Sequence, residues 1–281
     1  MRFELHCHSD HSRGSKIPWE GISSAEDLVK TAKLLKFDGI AITDHDAVSA
    51  LRKAKIEAKR LGVLLIPGVE VSTADGHVLA LGVEEKIKRG LTLQETIDEI
   101  HGNGGIAIAP HPFDIRREGI GRLARFCDAF EIFNSLNIDR FANGKAKRFA
   151  KKTRMPVTVG SDAHSSFMVG ASVNIMNAHS VDEVIKCVLK KKVKFETSYH
   201  AVDDVMEWTR VRLVRSYSDV LDYVNGNWSS PKRIIAQFLL KRFVGGTRMN
   251  IWKTIAYTSL GTAMIYSGVR SSRIYEFLEY E

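Results

Sequence analysis

From Arg2 to about His200, short apolar and β-branched runs alternate with longer segments of helical spacing. The runs Arg2–His8, Gly39–Thr43, Val63–Val71, His77–Val83, Gly105–Ala109, Ala129–Phe133, Pro156–Gly160 and Val193–Glu196 predict strands. Several are apolar almost throughout, as strands covered on both faces of a parallel sheet are. Helices fill the gaps. Ser23 with Glu26 predicts a capping box opening a helix over Ala25–Lys36, Thr92 with Glu95 a second and Ser180 with Glu183 a third. Asp46 predicts the start of a basic amphipathic helix reaching Arg60, and Arg140–Lys152 predicts another. Repeated strand–helix units define an α/β chain, and about seven of them fit a closed barrel better than an open sheet.

The pattern changes after His200, where the strand runs stop. Helical stretches follow over Val202–Val224, Pro231–Phe243 and Asn250–Ser267, enriched in aromatics by Trp208, Trp228 and Trp252. The division is therefore a barrel over residues 1–200 and a basic, aromatic-rich helical extension over 201–281. Ile251–Val269 is the most apolar stretch, but Lys253 and two glycines interrupt it. A membrane span needs near-continuous apolarity over about 20 residues, so a buried or partner-facing helix is expected there and membrane contact is not.

Composition adds little to the class and something to the partners. With 44% apolar and 26% charged residues the chain is ordinary globular material. Cys7, Cys127 and Cys187 lie far apart with no CxxC pair, which argues against a disulfide framework and a thiolate zinc site. An opening strand-like run with no apolar leader leads to the expectation of a cytoplasmic protein. A net charge of +8 favours phosphorylated or polyanionic partners.

The chemistry sits where strand runs stop. His6 and His8 alternate with Cys7, so both imidazoles share one face. Thr43-Asp44-His45-Asp46 follows the second run: His45 is a ligand candidate, Asp44 an orienter of an imidazole, and Asp46 a helix N-cap. Glu70 lies inside an apolar run, costly unless paired or metal-bound. His77 opens the fourth run and His111 follows the fifth. Glu131 and Asn134 end the sixth; Asn134 is a candidate to position substrate or a loop, and Glu131 has no assignment. Asp162 and His164 follow the seventh on one side. In barrel enzymes that rim carries the active site. Imidazoles and carboxylates without thiolates suit Mn, Fe or Zn, and two or three such ions can clamp a phosphate.

In this order, His-x-His, Thr-Asp-His-Asp, Gly-Val-Glu-Val-Ser, His-Val-Leu-Ala-Leu-Gly, His-Pro-Phe and Gly-Ser-Asp-Ala-His resemble the PHP (polymerase and histidinol phosphatase) family of metal-dependent phosphoesterases. The resemblance covers roughly residues 1–200. It implies a distorted (β/α)7 TIM-like barrel with two to three divalent ions at the strand C-termini. It further implies His6, His8, His45, Glu70, His77, His111, Asp162 and His164 as ligands, Glu70 bridging, with a metal-bound hydroxide rather than a side chain as nucleophile. Family members often read Ser-Asp-Gly shortly after His-x-His, and that aspartate commonly helps hold a further ion. This chain has Ser12-Arg13-Gly14. Arginine cannot ligate a cation, so Asp10 or His11 could substitute, or Arg13 could contact substrate phosphate instead.

The substrate expected is a phosphate mono- or diester of a nucleotide or short oligonucleotide. Arg116 and Arg117 are candidates to grip a second phosphate. About 40 residues separate Glu70 from His111, too few for the inserted subdomain of some small phosphatases of the family. The alternatives are a small-metabolite phosphatase of histidinol-phosphate type, and a nucleic-acid or protein-binding module using Lys232, Arg233, Lys241, Arg242 and Arg248 of the extension. The oligomeric state is not legible.

Overall fold

A computed structural model describes residues 1–14, 17–114, 116, 118–137, 140–246 and 248–270. Within them, nine strands form one sheet: β1 (Arg2–Glu4), β2 (Gly39–Ile42), β3 (Leu64–Ser72), β4 (His77–Leu81), β5 (Ile106–Ala109), β6 (Ala129–Asn134), β7 (Val157–Gly160), β8 (Ser172–Ile175) and β9 (Lys194–Thr197). The helices are α1 (Ala25–Leu34), α2 (Leu51–Leu61), α3 (Leu93–Gly102), α4 (Arg140–Thr153), α5 (Val181–Leu189), α6 (Val202–Arg215), α7 (Tyr217–Asn227), α8 (Ser230–Val244) and α9 (Met249–Arg270).

Strand order is β7-β6-β5-β4-β3-β2-β1-β8-β9, curled into a nearly closed barrel. β1, β2 and β3 run parallel, as do β5, β6 and β7. β4 is antiparallel to both its neighbours, and β8 is antiparallel to β1 and β9. This departs from a uniform (β/α)7 repeat. A tight turn after Ser72, not a helix, leads into β4, so the chain reverses there.

Closure uses two devices. Beyond the end of β7, the Asp162 amide donates to His6 O at 2.9 Å, and the His8 amide donates to Ala163 O at 2.8 Å. Lower down, the Asn174 side chain on β8 accepts from the Val159 amide at 3.0 Å and donates to Val159 O at 2.7 Å. Asn174 is fully buried, so its amide replaces a missing backbone ladder. Asn174→Ala is expected to lower unfolding stability by about 1–3 kcal/mol for each backbone group left unpaired, read by chemical denaturation. An unchanged midpoint would show that the seam does not depend on this side chain.

The barrel interior is filled by Phe3, Leu5, Ile66, Leu79 and Ile108, with Val184 and Val188 of α5 in the same cluster. α1 and α2 pack Leu28, Val29 and Ala54 against Ile40 and Ile42 outside the sheet. α3 packs Ile97 and Ile100 against Val78, Ala80 and Ala107. From the extension, Trp208 of α6 joins the first of these outer clusters, and α9 lies along α4 and α6. No helix of the described residues is long and apolar enough to cross a membrane.

Local differences from the sequence expectation have local causes. β1 is shorter than Arg2–His8 because beyond Glu4 the chain meets its neighbours only through the Cys7–Ala163 bridge and isolated bonds. β8 escaped the sequence pattern because Ser-Val-Asn-Ile is short and half polar. The cap of α1 is Ser24, whose side chain accepts from the Asp27 amide, while Ser23 bonds to Ser166. Thr92 and Glu95 do form a capping box. Asp46 is not an N-cap: α2 starts at Leu51, and Asp46 accepts from the Ser72 amide at 2.8 Å instead. The stretch Val202–Val224 breaks at Ser216 into α6 and α7.

Candidate metal centre

The rim at the C-terminal ends of the parallel strands gathers six imidazoles and two carboxylates. His6 and His8 follow β1, facing inward, while the Cys7 thiol points outward to Ala41 O. His45 follows β2, Glu70 lies near the end of β3, His111 follows β5, and Asp162 and His164 follow β7. His77 is the first residue of β4. Because β4 runs antiparallel, its beginning falls at the rim where its neighbours end.

Glu70 is the hub. Its carboxylate lies 3.2 Å from His6, 3.1 Å from His8, 3.5 Å from His45, 3.1 Å from His77 and 3.1 Å from His111. Asp162 faces His8 at 3.3 Å, His164 at 3.5 Å and His6 at 3.6 Å. Two buried imidazole nitrogens, His6 Nε2 and His8 Nε2, confront each other at 3.1 Å. Five imidazoles aimed at one carboxylate, and lone-pair-bearing nitrogens packed together, are arranged for cations. Three triads each bring their ligand atoms within 4.8 Å of one another: His6/His8/Glu70, His8/His45/His164 and His45/Glu70/His77. This donor set fits divalent ions.

Burial shifts the titration of these groups. It pushes the Glu70 carboxyl up, but the facing His45, His6 and His77 override it and hold the group well below the usual carboxylate range. Asp162 is held low in the same way by His6 and His8. Burial drives His45 down to about 3 against the pull of Glu70, and takes His164 well below its usual value. Against burial, the facing carboxylates raise His6, His8 (to about 9) and His77, so a cation entering the cluster displaces protons from these imidazoles.

The surrounding shell explains Glu131. It holds His6 Nδ1 at 2.8 Å, accepts from the His111 amide at 2.9 Å and accepts from Asn134 Nδ2 at 3.0 Å. A carboxylate on the far nitrogen of an imidazole fixes its ring and tautomer. Glycine is required at 160, where an added Cβ would overlap the Glu131 carboxylate. His111 and Asp162 adopt positive φ of 28° and 53°, unusual for residues other than glycine. Such backbone is tolerated where packing over-determines it, as at functional rims.

Several sequence expectations change. Asn134 is buried and donates to Glu131 and Asp162, so it positions carboxylates rather than substrate. Asp44 accepts from the Ser9 amide and hydroxyl, both at 2.6 Å, and orients that loop rather than an imidazole. His11 bonds Ser49 at 2.7 Å, and neither it nor Asp10 lines the cavity over the cluster. Arg13 does line it, its guanidinium stacked 3.5 Å from the centroid of Trp19. Arg116 lines it too, 3.0 Å from Glu118 and 4.0 Å from Asp162. Arg117 lies outside the described residues.

The cavity has a volume of about 390 Å³. Among its wall residues, sequence reasoning gave no site role to Glu20, Arg89, Glu118, Trp208 and Arg212. The Trp208 ring packs 4.7 Å from that of His164, and its indole donates to Glu20 O at 2.7 Å. Arg212 lies 3.6 Å from the Glu20 carboxylate. No motif marks Trp208 and Arg212, since α6 reaches the rim only through tertiary packing.

Known proteins resemble this chain in sequence and in fold. Residues 140–193 match the family profile described as PHP-associated. The uncharacterised protein MJ1587 of Methanocaldococcus jannaschii is 32% identical over 153 residues, 52% of this chain and 89% of that protein. The 5'-3' exoribonuclease Rnm of Salmonella typhimurium is 27% identical over 163 residues, 47% of this chain and 53% of that enzyme. A two-domain protein from Bacteroides vulgatus, containing a predicted PHP-like metal-dependent phosphoesterase, shares the fold with a TM-score of 0.58 at 15% identity, over 74% of this chain and 68% of that one. The chain belongs to the PHP family. It is a metal-dependent phosphoesterase whose barrel carries a helical extension.

Proposed function

We propose that His6, His8, His45, Glu70, His77, His111, Asp162 and His164 hold two to three divalent ions of Mn, Fe or Zn. The phosphoester hydrolysed at them belongs to a nucleotide or the terminal residue of a short oligonucleotide. The observation that carries the substrate reading is that four arginines, Arg13, Arg89, Arg116 and Arg212, line the same cavity as the imidazole–carboxylate cluster. Bound divalent ions polarise a phosphoryl oxygen and supply a nucleophile at neutral pH. The chain's own residues do the rest. Arginines bind phosphate oxygens in fixed forks, and Glu131 and Asn134 keep His6 and Asp162 oriented.

The cavity volume of about 390 Å³ falls within the roughly 300–1,000 Å³ of small-molecule sites. It suits one nucleotide rather than a threaded strand. The name of the Salmonella relative, a 5'-3' exoribonuclease, supports a substrate presented by its end. The basic residues of α8 are not part of the cavity wall and are not needed for this reading.

The test is turnover by the metal-loaded protein of mononucleotides, short RNA and DNA oligonucleotides, histidinol phosphate and an aryl phosphate. Nucleotide or oligonucleotide kcat/KM at least about tenfold above histidinol phosphate is expected, since one additional charge-assisted phosphate contact contributes about 1.5–3 kcal/mol. The reverse order would make the enzyme a small-metabolite phosphatase. Arg116→Ala is expected to raise KM for nucleotides by about tenfold or more, with little change in aryl phosphate turnover. Equal loss on both substrates would assign Arg116 to the integrity of the Asp162 side of the centre.

A further inference from the structure

We infer that Glu20, with His45 and His164, forms one divalent-cation position and supplies the carboxylate that Arg13 cannot. The inference rests on the metal centre proposed above. Its basis is a small hairpin at the rim. Arg13 and Trp19 pair as antiparallel neighbours, the Glu20 amide donates to Ser12 O at 3.3 Å, and the Gly14 amide donates to Pro18 O at 3.2 Å. The two arms of this hairpin therefore present residues 13 and 20 to the same space. A Cβ added at Gly14 would lie 2.8 Å from Glu20 Oε1, which shows how closely the Glu20 carboxylate overlies the Arg13–Gly14 turn.

The two oxygens of Glu20 face different partners. Oε2 lies 3.5 Å from His45 Nε2, while His45 Nδ1 lies 3.5 Å from Glu70. His45 thus stands between two carboxylates, one on the hub and one on the hairpin. Oε1 faces Arg212 at 3.6 Å. His45 and His164 already approach within ligand distance of each other in one triad with His8. The His164 ring is sandwiched between His8 at 4.4 Å and Trp208 at 4.7 Å, with its Nδ1 committed to Asp162 O, which leaves Nε2 for a cation. Two imidazoles and a carboxylate are a sufficient set for a divalent ion with open positions for substrate.

The extension holds this ligand in place. Trp208 Nε1 donates to Glu20 O at 2.7 Å, and Arg212 Nε donates to Trp19 O at 3.2 Å. α6 thereby clamps the two peptides that flank Glu20. Trp208 and Arg212 are positioning residues for this cation site.

The experiment strips the full chain with chelator and titrates it with Mn²⁺ or Zn²⁺, reading ions bound per chain by elemental analysis after equilibrium dialysis. Glu20→Gln keeps the size of the side chain and removes its charge. Glu118→Gln serves as the control, because Glu118 is another carboxylate of the same wall. Glu20→Gln is expected to bind one ion fewer, or to bind its weakest ion at least about 10-fold less tightly, with the remaining ions unchanged. Glu118→Gln is expected to match wild type. Wild-type titration by Glu20→Gln, or an equal loss in both variants, overturns the Glu20 assignment while leaving the metal centre intact. A wild-type chain that takes up no metal overturns both.

Discussion

Asp162→Ala is expected to lose metal and phosphoesterase activity together. Its carboxylate is buried among three imidazoles, at 3.6 Å from His6, 3.3 Å from His8 and 3.5 Å from His164. Asn134 beside it is neutral, and the nearby Glu131 carboxylate is already committed to His6, the His111 amide and Asn134. Removing it leaves His8 and His164 facing a hole, with Glu70 the remaining anion on that side of the cluster. Loss of a ligand exceeds the ten- to hundredfold effect of losing a group behind one, so a drop of more than about 100-fold in metal affinity is expected. Elemental analysis and aryl phosphate turnover measure the two losses separately. Wild-type metal content in the variant would remove Asp162 from the ligand set, whatever happened to activity.

The second large effect is expected at Glu70. Glu70→Gln preserves shape but removes the charge at which five imidazoles converge. The ions it would bridge should be lost as a group, and with them their contribution to stability. An ion at free concentration 1,000-fold above its Kd stabilises the fold by about 4 kcal/mol. For a domain of this size each kcal/mol moves Tm by roughly 2–4 °C. Chelation of the wild-type protein should therefore lower Tm by roughly 8–16 °C per ion removed. Glu70→Gln should melt near the chelated wild type and respond little to chelator. A variant that keeps a large chelator-sensitive shift would show that the cations do not depend on Glu70.

These predictions concern residues that stand out in sequence for a physical reason. A carboxylate inside an apolar run is costly unless paired or metal-bound, and histidines spaced i, i+2 at the end of one share a face. Glu70, His6, His8, Asp162 and His164 were legible on that ground. His77 was less so. Its position at the beginning of a run says nothing about the rim unless the strand is known to run backwards, and only the antiparallel pairing of β4 decides that. Glu131 was unassigned in sequence because its role is to hold His6, a partner 125 positions away.

Asp46 shows the opposite failure. Local rules favour an N-cap for an aspartate just before a basic amphipathic segment. The chain instead turns with φ of 51° at Asp46 and uses its carboxylate to hold the Ser72 amide of β3. A hydrogen bond between neighbouring strand ends outcompeted a local one, a choice no window of neighbouring residues contains.

By itself the sequence determined the α/β class, the barrel, the change to helices near residue 200 and most of the imidazole–carboxylate set. The class, the change to helices and the cost of burying Glu70 follow from patterning over a few residues, while the barrel and the full ligand set rest on the family resemblance as well. Tertiary structure alone decided the antiparallel strands, the seam that Asn174 closes between β7 and β8, and the arrival of α6 at the rim. It also decided which second carboxylate joins Glu70 beside His45. Glu20 gets there across a hairpin and under the clamp of Trp208 and Arg212, nearly 200 residues downstream. Those outcomes depend on which segments meet in space, and meeting is settled by packing over the whole chain rather than by local propensity.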